Sequence, residues 1–294
     1  LVWIWLLGII GLFICLYLLN QKRQEEETGL YYKLLGFSFL GAFFLSLNGW
    51  KIPLGFALCL LLVARVKRNK RIKQAAVMIG LLLFVFQIAL TSAEKAWFER
   101  SQSVAISVDH WYEQELKQTW AALEDKFGLH NARLENFWVT YEANGKVNEF
   151  HLAVLQQENG KFVITDIQND KPNKQLVVRQ ERTEGPWQQF ERAIQADYFF
   201  EKLDGVDRAS LKPEMEFPYY AFSAKGDGFT TYAIKDSEKY AIEEDRIVAI
   251  TNEQLPVTGF WLRVRGLNDN GAMDANGQAD FFFDYRFDPE IEPQ

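Results

Sequence analysis

Asp269, Asp274 and Asp280 fall with Asn268, Asn270 and Asn276 in one polar stretch, residues 268–280, that also holds Gly271 and Gly277. Carboxylate and amide oxygens are the hard ligands that Ca²⁺ prefers, and glycines let a loop wrap an ion, so these three aspartates are the candidate metal ligands. The spacing is not that of an EF-hand loop, and its closing glutamate is missing. The stretch therefore reads as a solvated hairpin tip, and no cofactor is expected.

Other chemistry is thinner. Of the 3 histidines, His110 stands three residues before Glu113, a spacing that puts two ligands on one helical face, but no second histidine lies near enough to complete a zinc site. Ser210 with Lys212, and Ser223 with Lys225, place a hydroxyl two residues from an amine. A working dyad also needs a desolvated lysine and an oxyanion site. There is no nucleophile elbow, phosphate-binding glycine loop, dinucleotide fingerprint or paired-cysteine metal motif. The 2 cysteines, Cys15 and Cys59, both sit in apolar runs, which leaves the remainder without thiol or disulfide chemistry. Acidic pairs are too common in so acidic a chain to single out two for glycoside hydrolysis.

Aromatic residues offer a different kind of site. Phe217, Tyr219, Tyr220 and Phe222, with Tyr198, Phe199 and Phe200, supply more rings than one helix and one strand face need for a core. Alternation along a strand sends some of them outward, where rings anchor partners. Tyr219, Tyr220 and Phe199 are the candidate partner-binding residues.

The elements that must position these groups divide at about residue 93. Residues 1–93 hold ten basic and three acidic residues, a net +7, whereas residues 94–294 hold 22 basic and 36 acidic, a net −14. That asymmetry is expected of a membrane part joined to a soluble part. The acidic part should repel nucleic acid and anionic lipid, and cations or basic proteins are its better electrostatic matches.

Residues 1–93 read as a membrane domain with apolar segments at about 1–19, 30–47, 52–66 and 75–92. Lys22 and Arg23 lie between the first two segments, and the run Lys67-Arg68-Asn69-Lys70-Arg71-Ile72-Lys73 between the last two. Short loops rich in Lys and Arg stay cytoplasmic, which predicts the N-terminus outside, four crossings, and a C-terminal domain outside the cytoplasm. Segment 30–66, with a turn at Asn48-Gly49 and Pro53 opening the next helix, is either two crossings or a re-entrant hairpin; both keep the same sidedness. Lys33 and Arg65 lie near segment ends and can snorkel. Gly36, Gly41, Ala42 and Gly55 would permit close contact with a partner helix. The chain begins with Leu, as expected if a start residue or short upstream piece is missing. A rival reading makes the basic run, the last apolar segment and Thr91-Ser92-Ala93 an internal signal peptide cleaved near Ala93.

Beyond a linker at 94–106, helical spacing of Tyr112, Leu116, Trp120, Leu123 and Phe127 predicts a helix over 109–127, stopped by Gly128. Asn144-Gly145 and Asn159-Gly160 then mark hairpins, each expected as a type I′ turn, and a fourth strand follows Lys171-Pro172-Asn173. A second helix opens at Pro186 and carries Trp187, Phe190, Ile194 and Tyr198; strand pairs follow around Gly226-Asp227-Gly228, Glu243-Glu244-Asp245 and the 268–280 loop. The fold class expected is N-terminal transmembrane helices followed by an extracytoplasmic α+β domain, helix plus antiparallel meander, with units at 107–182 and 183–294 that are either a duplication or one domain.

Without a catalytic motif, the sequence favours a multi-pass cell-membrane protein whose exterior domain binds another membrane or envelope protein, in an assembly or regulatory role. Membrane lipid is its other partner, and nucleic acid is excluded. The alternatives are a membrane-anchored exterior hydrolase and an accessory subunit of a transporter or secretion machine.

Overall fold

Uncharged apolar runs satisfy their backbone groups internally as helices, and the first 97 residues follow this rule. The computed structural model describes residues 2–47, 50–158, 160–183, 190–243 and 246–287. The chain forms two units, Leu1–Trp97 and Phe98–Gln294. In the first, α1 (Val2–Gln21), α2 (Leu30–Ala42), α3 (Leu54–Arg65) and α4 (Lys70–Phe98) are joined with a short antiparallel pair, β1 (Leu45–Leu47) and β2 (Trp50–Ile52). The expected Asn48-Gly49 turn lies outside the described residues.

Among the described residues, α4 is the one helix long and apolar enough to cross a membrane, with a mean hydropathy of 2.2 over its most apolar window; Leu6–Gln21 and Leu54–Arg65 are shorter apolar helices. At 1.5 Å per residue, the 13 residues of α2 and 12 of α3 rise only about 20 and 18 Å, short of roughly 30 Å of hydrocarbon. Thr91-Ser92-Ala93 and the first residues of the expected linker are a continuation of α4.

The small residues that seemed available to a partner are used internally. A Cβ on Gly41 would stand 2.9 Å from the Val77 carbonyl oxygen, one on Gly80 would overlap the Ser38 carbonyl, and one on Gly55 would overlap that of Leu40. Such contacts bring helix backbones together where side chains would hold them apart. Ser38 Oγ also donates to the Ala76 carbonyl at 2.9 Å. Gly36 alone of the expected glycines meets nothing within 4 Å.

The two basic loops are fastened to each other. The Glu27 carboxylate accepts from Lys73 Nζ at 2.8 Å, from Lys33 Nζ at 2.7 Å and from Asn69 Nδ2 at 3.2 Å. Asn69 Oδ1 accepts from the Gln24 and Glu25 amides, and Asn69 Nδ2 donates back to the Glu25 carbonyl. Lys33, Lys73 and Asn69 hold the Glu27 carboxyl down at about 2.

In the second unit, β3 (Gln102–Val104), β4 (Arg133–Glu142), β5 (Val147–Glu158), β6 (Lys161–Asp170), β7 (Gln175–Thr183), β8 (Tyr219–Tyr232), β9 (Glu238–Glu243), β10 (Arg246–Ala249), β11 (Val257–Leu267) and β12 (Met273–Phe287) form a single sheet. Its order is β10-β9-β12-β11-β8-β4-β5-β6-β7-β3. Pairings are antiparallel except β9 with β12, which is parallel. Strands from both expected units thus share one sheet, with β8 joined to β4 at its centre.

Helices α5 (Leu116–Phe127) and α6 (Ala196–Asp204) pack on one face. Leu116, Trp120 and Leu123 from α5 and Phe199, Phe200 and Leu203 from α6 meet Phe137, Val139, Phe222, Phe260 and Phe281 in the main core. Helix α5 starts later than the apolar spacing implies, because the Asp204 carboxylate accepts from the Leu116 and Lys117 amides at 3.1 and 2.7 Å and caps it there. It ends at Gly128, whose φ is 66°. The second helix also starts late. Ile194 is extended, bonding Leu134 and Gly226 through its backbone, and residues 184–189, including Pro186 and Trp187, lie outside the described residues.

Two turn expectations change. Gly226 and Gly228 do not reverse the chain: β8 continues past them through a bulge in which residues 225–228 stand opposite Trp261 of β11, and a Cβ on Gly226 would overlap the Leu134 carbonyl, so the glycine serves close approach. At Asn144-Gly145 only the glycine has positive φ, 91°, whereas a type I′ turn needs two such residues. The β5–β6 hairpin closes with Glu158 opposite Lys161 and Gly160 at φ 77°; Asn159 lies outside the described residues.

Candidate functional site

Because α5 and α6 cover one face, the intervening positions of every strand project from the other. Register fixes a row across it. Lys239 on β9, Asp280 on β12, Arg263 on β11, Ser223 on β8, Trp138 on β4, His151 on β5 and Gln168 on β6 are successive cross-strand partners.

Asp280 is fully buried and organises one end of this row. Its Oδ1 accepts from Arg263 Nε at 2.7 Å and Trp261 Nε1 at 3.0 Å; its Oδ2 accepts from the Tyr232 hydroxyl at 2.6 Å and Gln278 Nε2 at 3.3 Å. Arg263 lies over the Trp261 ring, 4.4 Å from its centroid. Burial, and then the bond to Asp280, pushes the Tyr232 phenol up to about 12. Lys239 donates to Asn252 Oδ1 at 2.8 Å and to the Ser237 carbonyl at 3.1 Å.

Two cavities open on the same face. One of about 340 Å³ lies over β4, β8 and β11, lined among others by Trp138, Ser223, Lys225, Trp261, Arg263 and Arg265. The other, of about 390 Å³, lies towards the β11–β12 hairpin and is lined among others by Thr140, Glu149, Tyr219 and Asp269. Strand β8 is the floor between them. Its outward residues Ala221 and Ser223 are small, while Thr140 and Trp138 stand beside them on β4, and Arg265 and Arg263 on β11. The first cavity is thus a trough over Ser223 and Lys225 of β8, walled on one side by the Trp138 ring and on the other by guanidinium groups, and the buried Ala221 separates it from the second.

Arg265 is the electrostatic anomaly of this acidic unit. It donates to Gln278 Oε1 at 3.3 Å and approaches Met273 Sδ at 3.2 Å, both uncharged groups. Burial, and then the neighbouring Arg263, holds its pKa below the usual guanidinium value. Lys225, at the other end of the trough, shares its field with Glu135, whose carboxyl is raised by burial and Asp227 and drawn down by that lysine. The net charge of −14 therefore hides a locally cationic wall.

Ser223 Oγ donates to the Arg263 carbonyl at 3.5 Å. His151, hydrogen-bonded to Asp166 at 2.7 Å, is two strands away, about 9.5 Å, beyond the reach of that hydroxyl.

The residues singled out from sequence scatter. Asp280 lies inside the sheet with its oxygens engaged by Arg263, Trp261 and Tyr232, so it does not face the hairpin tip. Asp269 is exposed at the tip, and Asp274 Oδ1 accepts from the Asn276 amide at 2.8 Å. Asn268 Oδ1 bonds the Asn270 and Ala272 amides, so the tip orders itself. Among the described residues, no three His, Cys, Asp or Glu side chains converge to hold a metal ion. His110 precedes α5, and its Nδ1 stands 3.9 Å from Glu113. Ser210 bonds Asp207 and Lys212 pairs with Glu216, so that dyad does not form.

Of the candidate contact rings, Phe199 and Tyr220 are buried in the main core, because α6 and the inward positions of β8 supply it; a partner on the folded surface does not reach them. Tyr219 alone points outward, half-buried on the wall of the second cavity. Missed altogether were Trp138, Trp261, Arg263 and Arg265. Their signal is the alternation Trp261-x-Arg263-x-Arg265 within one strand, which puts three large polar-tipped side chains on one face, where Trp261 also packs against a small second core of Tyr232, Val257 and Phe282.

An archaeal family matches the chain over residues 117–258, from α5 to the first residues of β11, so Trp138, Ser223 and Lys225 lie inside the match and Trp261, Arg263, Arg265 and Asp280 beyond it. No curated protein and no solved structure matches the chain.

Proposed function

We propose that this chain is an integral membrane protein of the cell envelope whose 98–294 unit lies outside the cytoplasm and binds a ligand or partner on the open face of its sheet, in an assembly or regulatory role. One observation carries the binding reading. The trough gathers Trp138, Trp261, Arg263 and Arg265 on the face opposite α5 and α6, with the Ser223 hydroxyl turned to the Arg263 carbonyl. We read the unit as an α+β domain, with β4 to β7 as an antiparallel meander after α5.

The membrane reading is supported by the apolar α4 and by the Glu27 clasp, which ties the two basic loops together and so favours one common side for them. The short α2 and α3 favour a re-entrant hairpin over two crossings.

Sidedness is tested by cysteine labelling in a background of Cys15→Ala and Cys59→Ala. Asn144→Cys is exposed and avoids the crowded, positive-φ Gly145; Lys67→Cys is exposed beside the buried Asn69. A membrane-impermeant thiol reagent on intact cells should label the first and spare the second, and the reverse pattern refutes the topology. Binding is tested by copurification from membranes: Trp138→Ala and Arg265→Gln should lose a partner that the parent chain retains, and an unchanged set of partners refutes use of this face.

A further inference from the structure

Lying between Trp138 on one side and Arg263 and Arg265 on the other, with Ser223 on its floor, the trough on β8 has the chemistry of a site for a short acidic sugar chain. We propose that it binds a carboxylate-bearing oligosaccharide, an inference that rests on the binding reading above and names its ligand class.

Shape comes first. The cavity over Ser223 and Lys225 holds about 340 Å³, room for about two sugar units, and its walls belong to strands about 9.5 Å apart. An α-helix with its side chains is about 10–12 Å across and would ride on the rim. An extended peptide would fit by width, but strand-like recognition requires free backbone groups at a sheet edge. Here β8 is hydrogen-bonded to β4 on one side and β11 on the other. A peptide would therefore leave its own amides without backbone partners. A sugar chain has no such need, because its hydroxyls bond side chains, and Ser223, Asn136 and Thr140 line the two cavities with hydroxyl and amide groups.

Ring and charge complete the match. The half-buried Trp138 offers an apolar surface on which the C–H face of a sugar ring can lie, with its polar edge left to water. Arg265 hydrogen-bonds neutral Gln278 and Met273 and shares the field of Asp280 with the already paired Arg263, and a planar fork of that kind suits a carboxylate. Arg263 is neutralised by Asp280, so one carboxylate at Arg265 satisfies the wall. Glu149 and Asp269 line the second cavity and repel a further carboxylate there, so the site suits a short acidic sugar seated at Arg265 and not a long polyanion.

The test is calorimetric titration of the full chain in detergent with digalacturonate, a length matched to the cavity over Ser223 and Lys225. A neutral galacto-oligosaccharide and a glutamate oligopeptide of equal length are the comparators. The uronate should bind at least about tenfold tighter than either. Arg265→Gln and Trp138→Ala should each weaken it by about tenfold or more, Arg265→Lys by less, and Lys161→Gln, a charge-matched change at the exposed β5–β6 hairpin, should leave it unchanged. Circular dichroism and the melting temperature identify any variant that fails to fold, in which case Arg265→Lys and Trp138→Phe supply the comparison. If the glutamate peptide binds as tightly and Arg265→Gln abolishes it, the sugar class is wrong and use of the face stands. If the uronate binds and neither trough variant weakens it, both readings fail. Absence of any uronate binding overturns this inference alone, since copurification tests the other independently.

Discussion

Replacing Asp280 with alanine should unfold more of this protein's stability than any other single change on the open face. The carboxylate is fully buried and accepts from Arg263, Trp261 and Tyr232 at 2.7, 3.0 and 2.6 Å. Its removal leaves a guanidinium with only 17% side-chain exposure, in place of an ion pair. Breaking a buried pair from one side costs about 3–5 kcal/mol, because the remaining charge stays desolvated. The Trp261 N–H adds to this, whereas the Tyr232 hydroxyl keeps Ser237 at 3.0 Å. Against a total stability of about 5–15 kcal/mol, the loss is roughly a fifth or more. For a unit of this size, 3–5 kcal/mol corresponds to about 6–20 °C in melting temperature. Asp280→Asn retains one acceptor oxygen and should cost roughly 2 kcal/mol. Urea and thermal unfolding of the full chain in detergent, followed by the circular dichroism of the sheet, measure both. A loss below about 1 kcal/mol for Asp280→Ala, the scale of an exposed pair, would refute the claim that this carboxylate organises the face.

Asp204→Ala should destabilise by about 3 kcal/mol in the same assay, since it removes the α5 cap and the carboxylate paired at 2.7 Å with the buried Arg208; a loss under about 1 kcal/mol would show that α5 starts without it. Gly80→Leu should separate α2 from α4 and lower the melting temperature of the full chain in detergent, while Gly36→Leu, which meets open space, should not; equal effects would discount the close approach. Tyr232 and Tyr240, raised chiefly by burial, and Tyr285, raised chiefly by its bond to Glu243, sit at about 12. Their folded pKa exceeds the unfolded value, so their contribution is complete below pH 10 and is lost as pH rises towards about 12; phenolate absorbance that appears fully by about pH 10 would refute it. Glu27 behaves oppositely: its depressed pKa contributes stability that is present above the usual carboxylate range and lost as pH falls towards about 2. Glu27→Gln should therefore flatten that acid limb, and an unchanged acid profile would remove the clasp from the account.

What the amino-acid sequence determined by itself is what local physics dictates. Uncharged runs made the helices of the first unit, helical spacing made α5 up to its Gly128 stop, and alternation made the strands from β4 onward. Charge placement marked the division near residue 93, a few residues from the boundary between units. The tertiary structure decided whatever depends on a distant partner. Asp204 is far from α5 in sequence, and only folding brings its carboxylate to the helix start. Gly226 looked like a turn because glycine permits one, yet what it permits here is the approach of Leu134. Strand order decided the site, since nothing local puts β8 between β4 and β11. That placement brings Trp138 beside Ser223 and Arg263, residues far apart along the chain, and takes Asp280 out of an apparent metal loop into the sheet. Alternation could say that Trp261, Arg263 and Arg265 share a face; only the packing of α5 and α6 on the opposite side left that face open to a ligand.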